Sequence, residues 1–136
     1  MTYYHGSSIK IDSYLQPHSS KVIDDEKAVF ATPKKFIACI FIPKWNDDMI
    51  GFGSYNDEWF LQENVKDAFK IFNISGYIYT VSSKNFKNDE RLGLQDNEFI
   101  CYETVEILKT EYIENVFDVI KNENINLIYH KEDFNL

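Results

Sequence analysis

The chain opens with the stretch Met1-Thr2-Tyr3-Tyr4-His5-Gly6-Ser7-Ser8, around which the rest of the sequence is interpreted. Residues 2–5 are predicted to form a short strand, because aromatic and β-branched residues favour strands. The strand leads into a turn at Gly6-Ser7-Ser8, where the glycine lets another group approach the backbone closely. We therefore expect a binding cleft to open along this strand.

Short apolar segments beyond this strand predict a mixture of strands and helices. Further strands are expected at residues 28–32, 76–81 and 98–107, with an edge strand at 125–129. Residues 58–62 fit either a strand or a short helix. Helices are expected at residues 34–42, 65–72 and 111–121, and loops at 45–56 and 82–97. Several short strands with two or three helices indicate an α+β fold.

The first predicted helix and the two predicted loops have recognisable local signals. Thr32 is expected to be the N-cap of the helix, and Pro33 occupies the first helical position, which proline favours. The loop at 45–56 is polar and contains two glycines, so we expect it to be mobile. The loop at 82–97 is long and has little apolar content, which is typical of a functional loop.

Composition indicates one domain spanning residues 1–136. The chain is 44% hydrophobic and 16% aromatic, enough for a compact core and against disorder. No stretch approaches the ~20 apolar residues of a membrane-spanning helix, and the N-terminus lacks a signal-peptide pattern. Cys39 and Cys101 lie within apolar runs and have no metal-ligand spacing, so we expect buried, reduced thiols in a cytoplasmic protein.

Charge limits the classes of partner. The net charge is −8, and Arg91 is the one arginine of the sequence. Nucleic-acid binding surfaces normally cluster lysine and arginine, so nucleic acid is disfavoured as a partner and a protein or small-molecule target is favoured. His18 and His130 have no partners at metal-site spacing, and no metal is expected.

Three motifs carry a resemblance to a known family. Tyr4-His5-Gly6-Ser7 is similar to a first strand with His-Gly-Ser. Val29-Phe30-Ala31-Thr32, followed by a helix, resembles an aromatic second strand. Asn97-Glu98-Phe99-Ile100-Cys101-Tyr102 resembles a late strand that begins with an essential glutamate. Together and in this order, the three resemble the diphtheria-toxin and poly(ADP-ribose) polymerase branch of the ADP-ribosyltransferases.

The resemblance implies a fold, an activity and two catalytic residues. The fold would be a split β-sheet core with a few short helices. The activity would be NAD-dependent mono-ADP-ribosylation of a protein target with release of nicotinamide, as in a toxin or effector acting in the cytoplasm or delivered into a host cytoplasm. Glu98 would stabilise the oxocarbenium-like transition state through the ribose 2′-hydroxyl. His5 would hydrogen-bond the adenosine ribose.

The resemblance also implies that NAD is the co-substrate and that it is held without a metal. Backbone groups of Gly6 would hold the nicotinamide amide, Phe41 or Ile40 would lie against the nicotinamide ring, and Phe30 would pack the floor of the cleft. The implied cofactor-binding residues are His5, Gly6, Ser7, Phe30, Ala31, Thr32 and Phe41.

The second motif supplies one further expectation and one departure from the family. The helix start at Thr32 would face the pyrophosphate, with Lys34 and Lys35 nearby. The family usually has tyrosine where the plain alignment places Val29, and a shift by one residue gives Phe30, which also lacks a hydroxyl. Either another aromatic residue (Phe41, Tyr77 or Tyr79) covers the nicotinamide ring, or NAD binding is weak, or the domain binds a related ligand without turnover.

Two other functions on the same fold remain open. The domain is alternatively a catalytically inactive module that binds NAD, ADP-ribose or a protein, which the valine at position 29 favours. RNA 2′-phosphotransferase chemistry is disfavoured, because that reaction grips phosphates with several arginines and this chain has one.

Overall fold

The structure is a computed structural model that describes residues 1–44 and 48–131. Within these ranges the chain forms eleven strands and three short α-helices, and the expected α+β class is confirmed. The strands are β1 (Thr2–Ser7), β2 (Tyr14–Leu15), β3 (His18–Ser19), β4 (Lys27–Ala31), β5 (Ile50–Tyr55), β6 (Glu58–Glu63), β7 (Gly76–Ser82), β8 (Phe99–Cys101), β9 (Val105–Glu106), β10 (Lys109–Ile113) and β11 (Ile125–Ile128). The helices are α1 (Lys35–Ile40), α2 (Ala68–Ile71) and α3 (Val116–Ile120), and 3₁₀ turns lie at Lys21–Ile23 and Gln95–Asn97.

Strand β1 lies at the junction of two small sheets. On one side it pairs antiparallel with β7, which pairs in turn with β10. On the other side it meets the sheet β3-β4-β8 at an isolated bridge between Tyr4 and Thr32, with backbone N–H···O distances of 2.8 and 2.9 Å. The pairing between β1 and the β4 side stops at this bridge. On that side, the residues of β1 after Tyr4 border a cleft rather than a strand.

Helix α1 lies directly against β1 and β7, and two glycines make the contact close. A Cβ atom added at Gly6 would clash with the carbonyl oxygen of Ala38 in α1, and one added at Gly76 would clash with the side chain of Ile42. This packing forms the larger apolar core, together with residues of β6, β10 and α3. The glycine after His5 is therefore required by helix packing, whatever else it does.

A second core lies around the buried side chains of Tyr3, Val29 and Tyr79. The phenol of Tyr79 accepts a hydrogen bond from the N–H of Ile11 at 2.6 Å and donates one to the carbonyl oxygen of Ile9 at 3.0 Å. These two hydrogen bonds hold residues 9–11 in place, although these residues do not form a strand. Cys39 and Cys101 are both buried and unpaired, as the sequence predicts.

The loop predicted at residues 45–56 is wrong over residues 50–55. These residues form β5, which pairs antiparallel with β6 through a tight hairpin. Asn56 and Asp57 occupy the turn with φ of 50° and 63°, the left-handed conformation that this hairpin class requires. Residues 45–47 of the predicted loop lie outside the described residues. The strand reading of residues 58–62 and the edge strand near 125–129 are confirmed.

The strand predicted at 98–107 is interrupted because the chain changes partner. Cys101 of β8 pairs with β4, whereas Val105 of β9 pairs with β2, so the chain leaves strand geometry between them. The helix predicted at 111–121 is wrong at its start, because residues up to Ile113 belong to β10 and α3 begins only at Val116.

The helix predicted at 34–42 is shorter in the structure, and its predicted N-cap is wrong. Helix α1 begins after Lys34, whose side chain makes no capping hydrogen bond. Thr32 is held two residues earlier by its bridge to Tyr4, and its hydroxyl oxygen accepts the Lys34 N–H at 3.1 Å. Threonine and proline here close a turn before the helix. In the described part of the chain, no helix has the length and apolarity needed to cross a membrane.

Candidate functional site

A cleft of about 320 Å³ opens where β1 and β4 part. Its volume falls within the range of small-molecule sites. The walls come from β1, from β4, from the end of α1, from the 3₁₀ turn after β3 and from the residue before β8. The lining residues are Tyr4, His5, Gly6, Ser20, Val22, Phe30, Ala31, Phe41 and Glu98.

His5 is fixed by a hydrogen bond to the neighbouring strand. Its Nδ1 lies 2.6 Å from the carbonyl oxygen of Phe30, an acceptor, so Nδ1 carries the proton. Burial lowers the pKa of His5, an effect that the Phe30 carbonyl opposes and the charge of His18 adds to. The imidazole is therefore neutral at neutral pH, and its Nε2 is a hydrogen-bond acceptor.

The backbone of Gly6 presents a donor and an acceptor to the cleft. Tyr4 uses its N–H and C=O on Thr32, so both groups point away from β7. Backbone groups alternate in direction along a strand, and those of Gly6, two residues on, point the same way. The described residues offer them no backbone partner there, because the bridge to β4 is isolated. A primary carboxamide, with one donor and one acceptor, is the complementary group.

Glu98 supplies the carboxylate of the cleft. It lies between the 3₁₀ turn and β8 in extended conformation, and its side chain is partly buried. Burial raises the pKa of the Glu98 carboxyl, and a hydrogen bond from the Leu94 backbone lowers it in part. The side-chain amide of Asn88 donates to the carbonyl oxygens of Gln95 at 2.6 Å and Glu98 at 3.1 Å, which holds the end of this loop.

Two phenylalanine side chains, Phe30 and Phe41, line the cleft beside these groups, together with Tyr4 of β1. Phe30 faces the cleft, whereas Val29 points to the opposite side of β4 and is 2% exposed within the core. Phe41 lies at the mouth and is 41% exposed, while Ile40 is buried. Tyr79 is fully buried and contributes nothing to the lining. The side chains of Val29 and Phe30 therefore bring no hydroxyl group from β4 into the cleft.

The structure brings most of the predicted site residues together and leaves others outside. His5, Gly6, Phe30, Ala31, Phe41 and Glu98 line one cleft, but Ser7 and Thr32 do not. The Ser7 hydroxyl accepts the N–H of Ile9 at 3.1 Å. Lys35 does not line the cleft and forms an ion pair with Glu111, which raises the pKa of the Lys35 ammonium. Helix α1 has only six residues, and its N-terminus, where a phosphate was expected, does not line the cleft.

Sequence reasoning missed the wall formed by Ser20 and Val22. Val22 is 53% exposed, although valine normally favours the interior. The two apolar residues Val22 and Ile23, between Lys21 and the aspartates Asp24 and Asp25, were a signal that this polar segment has a further role. Tyr4 was quoted with the first motif but not expected to line the cleft.

The cleft borders a second, larger depression of about 820 Å³. The two share Ser20 and Phe41, so Phe41 stands between them. Lys44 lines the second depression. Among the described residues, no group of three or more His, Cys, Asp or Glu side chains is arranged to hold a metal ion.

No family model, curated protein or solved structure matches the chain. The chemistry of the cleft is therefore inferred from the residues that line it.

Proposed function

We propose that the chain is an NAD-dependent mono-ADP-ribosyltransferase that modifies a protein and releases nicotinamide. One observation carries this proposal: His5 and the open backbone groups of Gly6 line the same cleft as Glu98, which lies more than ninety residues later in the chain. The set combines an acceptor for a ribose hydroxyl, a complement for a carboxamide and a carboxylate. NAD contains the matching groups, and the cleft with the neighbouring depression gives room for both ends of the dinucleotide.

In this proposal Gly6 binds the carboxamide of nicotinamide through its N–H and C=O. Phe30 and Phe41 place apolar rings at the floor and mouth of the cleft, where the nicotinamide ring is packed. His5, held by Phe30 through Nδ1, accepts a hydrogen bond from a ribose hydroxyl at Nε2. The groups bind and orient the cofactor before any bond breaks.

Glu98 has the chemical role. When the bond between nicotinamide and ribose breaks, its electron pair leaves with the nicotinamide nitrogen, and positive charge develops on the ribose. A carboxylate that hydrogen-bonds the ribose 2′-hydroxyl stabilises this charge in the transition state more than in the bound substrate. A nucleophile of the target protein then attacks the anomeric carbon and loses its proton.

The test combines binding, bond cleavage and transfer. Purified protein is titrated with NAD by calorimetry, nicotinamide release is followed, and a lysate incubated with NAD is searched for proteins that gain the mass of one ADP-ribose. We expect all three signals in the wild type and only binding in Glu98→Gln. Glu103→Gln is the matched control, because Glu103 is exposed, follows β8 and lies outside the cleft lining. Equal loss in both variants would contradict the role of Glu98.

One observation favours a non-catalytic module as the second candidate. Val29 is buried and Phe30 lacks a hydroxyl, so β4 supplies no polar group to the cleft through these side chains. NAD or ADP-ribose binding without nicotinamide release would support this candidate. RNA 2′-phosphotransferase chemistry gains no support, because Arg91 is bound by carboxylates and does not line the cleft.

A further inference from the structure

Arg91 ties together the two segments that carry opposite parts of the cleft wall. Its guanidinium forms a two-pronged contact with Asp89, from Nε to Oδ1 at 2.9 Å and from Nη2 to Oδ2 at 2.7 Å. Its Nη1 lies 3.1 Å from a carboxylate oxygen of Asp24 and 2.7 Å from one of Glu26. Asp89 belongs to the loop that leads to Glu98, whereas Asp24 and Glu26 follow the wall residues Ser20 and Val22.

The segment 20–26 is a closed turn, so holding its end holds its beginning. The carbonyl oxygen of Ser20 accepts the N–H groups of Ile23 at 3.2 Å and Asp25 at 2.9 Å. The N–H of Ser20 donates to the carbonyl oxygen of Glu26 at 3.2 Å, and the Ser20 hydroxyl accepts the N–H of Val22. Contacts that hold Asp24 and Glu26 in place therefore also hold the cleft residues Ser20 and Val22.

The loop on the other side is held in the same way. The Asp89 carboxylate accepts the backbone N–H of Arg91 at 2.9 Å, and the N–H of Leu92 donates to the Asp89 carbonyl oxygen at 3.0 Å. Leu92 and Ile23 are buried in the same apolar cluster, so apolar packing joins the two segments as well as the ion pairs. Asn88 then fixes the carbonyl oxygen of Glu98 at the end of the loop.

We propose that Arg91 is a positioning residue that sets the separation between the wall at Ser20 and Val22 and the loop that presents Glu98. This inference rests on the proposed function, since it concerns the grip of the cleft on NAD. Without the guanidinium, three carboxylates that share its nitrogens face one another and repel. Lysine keeps the charge but cannot make the two-pronged contact and reach the other carboxylates together.

The first experiment measures nicotinamide-release kinetics for Arg91→Ala, Arg91→Lys and the wild type. We expect the KM for NAD to rise by about tenfold in Arg91→Ala, with a smaller rise in Arg91→Lys and a smaller change in kcat than in KM for both. Salt screens the repulsion among the carboxylates, so the KM of Arg91→Ala falls toward the wild-type value as salt is added. Lys121→Ala is the control, because it removes a cation paired with Asp118 at 3.2 Å on α3.

A second measurement does not need NAD. Amide hydrogen exchange is compared in the unliganded wild type, Arg91→Ala and Lys121→Ala. We expect faster exchange of both segments, 20–26 and 87–98, in Arg91→Ala, with β1 and β7 unchanged. Faster exchange of one segment alone, or a KM that stays within about twofold of wild type at all salt concentrations, would overturn the positioning role. A wild type that neither binds NAD nor releases nicotinamide would instead overturn the proposed function, and the exchange data would still decide whether Arg91 joins the segments.

Discussion

The imidazole of His5 occupies the place of a backbone partner for Phe30. Tyr4 pairs with Thr32, so in a continued antiparallel ladder Gly6 would lie opposite Phe30. Instead, Nδ1 of His5 donates a hydrogen bond to the Phe30 carbonyl oxygen at 2.6 Å. This contact occupies the carbonyl oxygen that would otherwise pair with Gly6, and the backbone groups of Gly6 border the cleft.

Two substitutions at His5 separate the two nitrogen atoms. His5→Asn retains an N–H near the position of Nδ1 and loses the acceptor at Nε2. We expect the free energy of unfolding to change by less than about 1 kcal/mol and the affinity for NAD to fall by about tenfold or more. Chemical denaturation and calorimetry measure the two quantities on the same samples.

His5→Gln reverses the comparison, because its amide reaches the position of Nε2 and leaves the Phe30 carbonyl oxygen without its donor. We expect the free energy of unfolding to fall by about 1–3 kcal/mol, with a smaller loss of NAD affinity than in His5→Asn. Equal effects of the two substitutions on both quantities would contradict the division of labour between the nitrogens.

The glycines provide a test of helix packing against β1. In Gly6→Ala the new methyl group would clash with the carbonyl oxygen of Ala38, so α1 must shift and carry Phe41 with it. We expect a loss of about 3 kcal/mol in the free energy of unfolding. Gly93→Ala is the control, because no atom lies within 4 Å of the new Cβ, and we expect it to be neutral or to stabilise by about 0.4–1 kcal/mol. A tolerated Gly6→Ala would show that α1 is not seated on β1.

Activity is expected to fall on acidification through two groups. Burial raises the pKa of Glu98, so its carboxylate is lost at a higher pH than that of an exposed glutamate. Burial lowers the pKa of His5, so Nε2 remains an acceptor until the pH is below the ordinary histidine range. We therefore expect kcat for nicotinamide release to decline at a pH above the ordinary glutamate range, with Glu98, and the KM for NAD to rise at a pH below the ordinary histidine range, with His5. A rate that increases on acidification would exclude an ionised Glu98 from catalysis.

Through Glu98, the stability of the protein has the opposite pH dependence to its activity: it is greater at low pH. A carboxyl whose pKa is raised by folding contributes stability that is fully present below its unfolded pKa and is lost as the pH rises through its folded pKa. Glu98→Gln removes that loss. We expect its melting temperature at pH 7 to equal or exceed that of the wild type, and the difference to vanish near pH 4. A variant that is less stable than the wild type at pH 7 would show that the Glu98 carboxylate is structurally required.

Glu63 is a buried carboxylate with a structural role outside the cleft. It is 6% exposed, and its two oxygens accept the backbone N–H groups of Phe69 and His130, each at 2.9 Å. We expect Glu63→Ala to lose about 2–4 kcal/mol of unfolding free energy and to exchange the amide of His130 faster, with nicotinamide release unchanged. Glu58→Ala, at an exposed position of the same strand, is the control. Equal stability of the two variants would contradict the role of Glu63.

The first strand, the α+β class and the shared cleft of His5 and Glu98 could be predicted because each depends on local signals or on a recognisable motif. β1 has strand-forming residues ending at a glycine, and Glu98 begins a short apolar strand. Neither prediction depends on knowing which strand pairs with which. Phe41, with Ile40 as the alternative, was placed in the cleft by the resemblance to the family.

The errors arise where tertiary partners override local preference. Gly51 and Gly53 predict a loop, yet β5 forms because β6 supplies a full antiparallel partner. The apolar run after Glu98 predicts one strand, but it divides because β4 and β2 each take a part of it. Thr32 has the residue type of an N-cap, and its bridge to Tyr4 keeps it outside the helix.

The ion pairs of Arg91 with Asp24, Glu26 and Asp89 could not be predicted from the sequence for a similar reason. Asp24 and Glu26 are separated from Arg91 by more than sixty residues, and nothing in their local pattern distinguishes a bound carboxylate from a solvated one. The guanidinium holds the pKa of Asp89 well below its usual range, which marks a specific ion pair rather than a loose surface contact.

Single-turnover nicotinamide release, measured with NAD bound at saturation in the wild type and in Glu98→Gln, decides whether this cleft is catalytic. Because both proteins are saturated with NAD, binding is removed from the comparison, and the rate reports the chemical step alone. We expect release in the wild type to be faster by about 100-fold or more. Equal rates in the two proteins, or saturation with NAD and no release from either, would show that Glu98 does no chemistry on this cofactor.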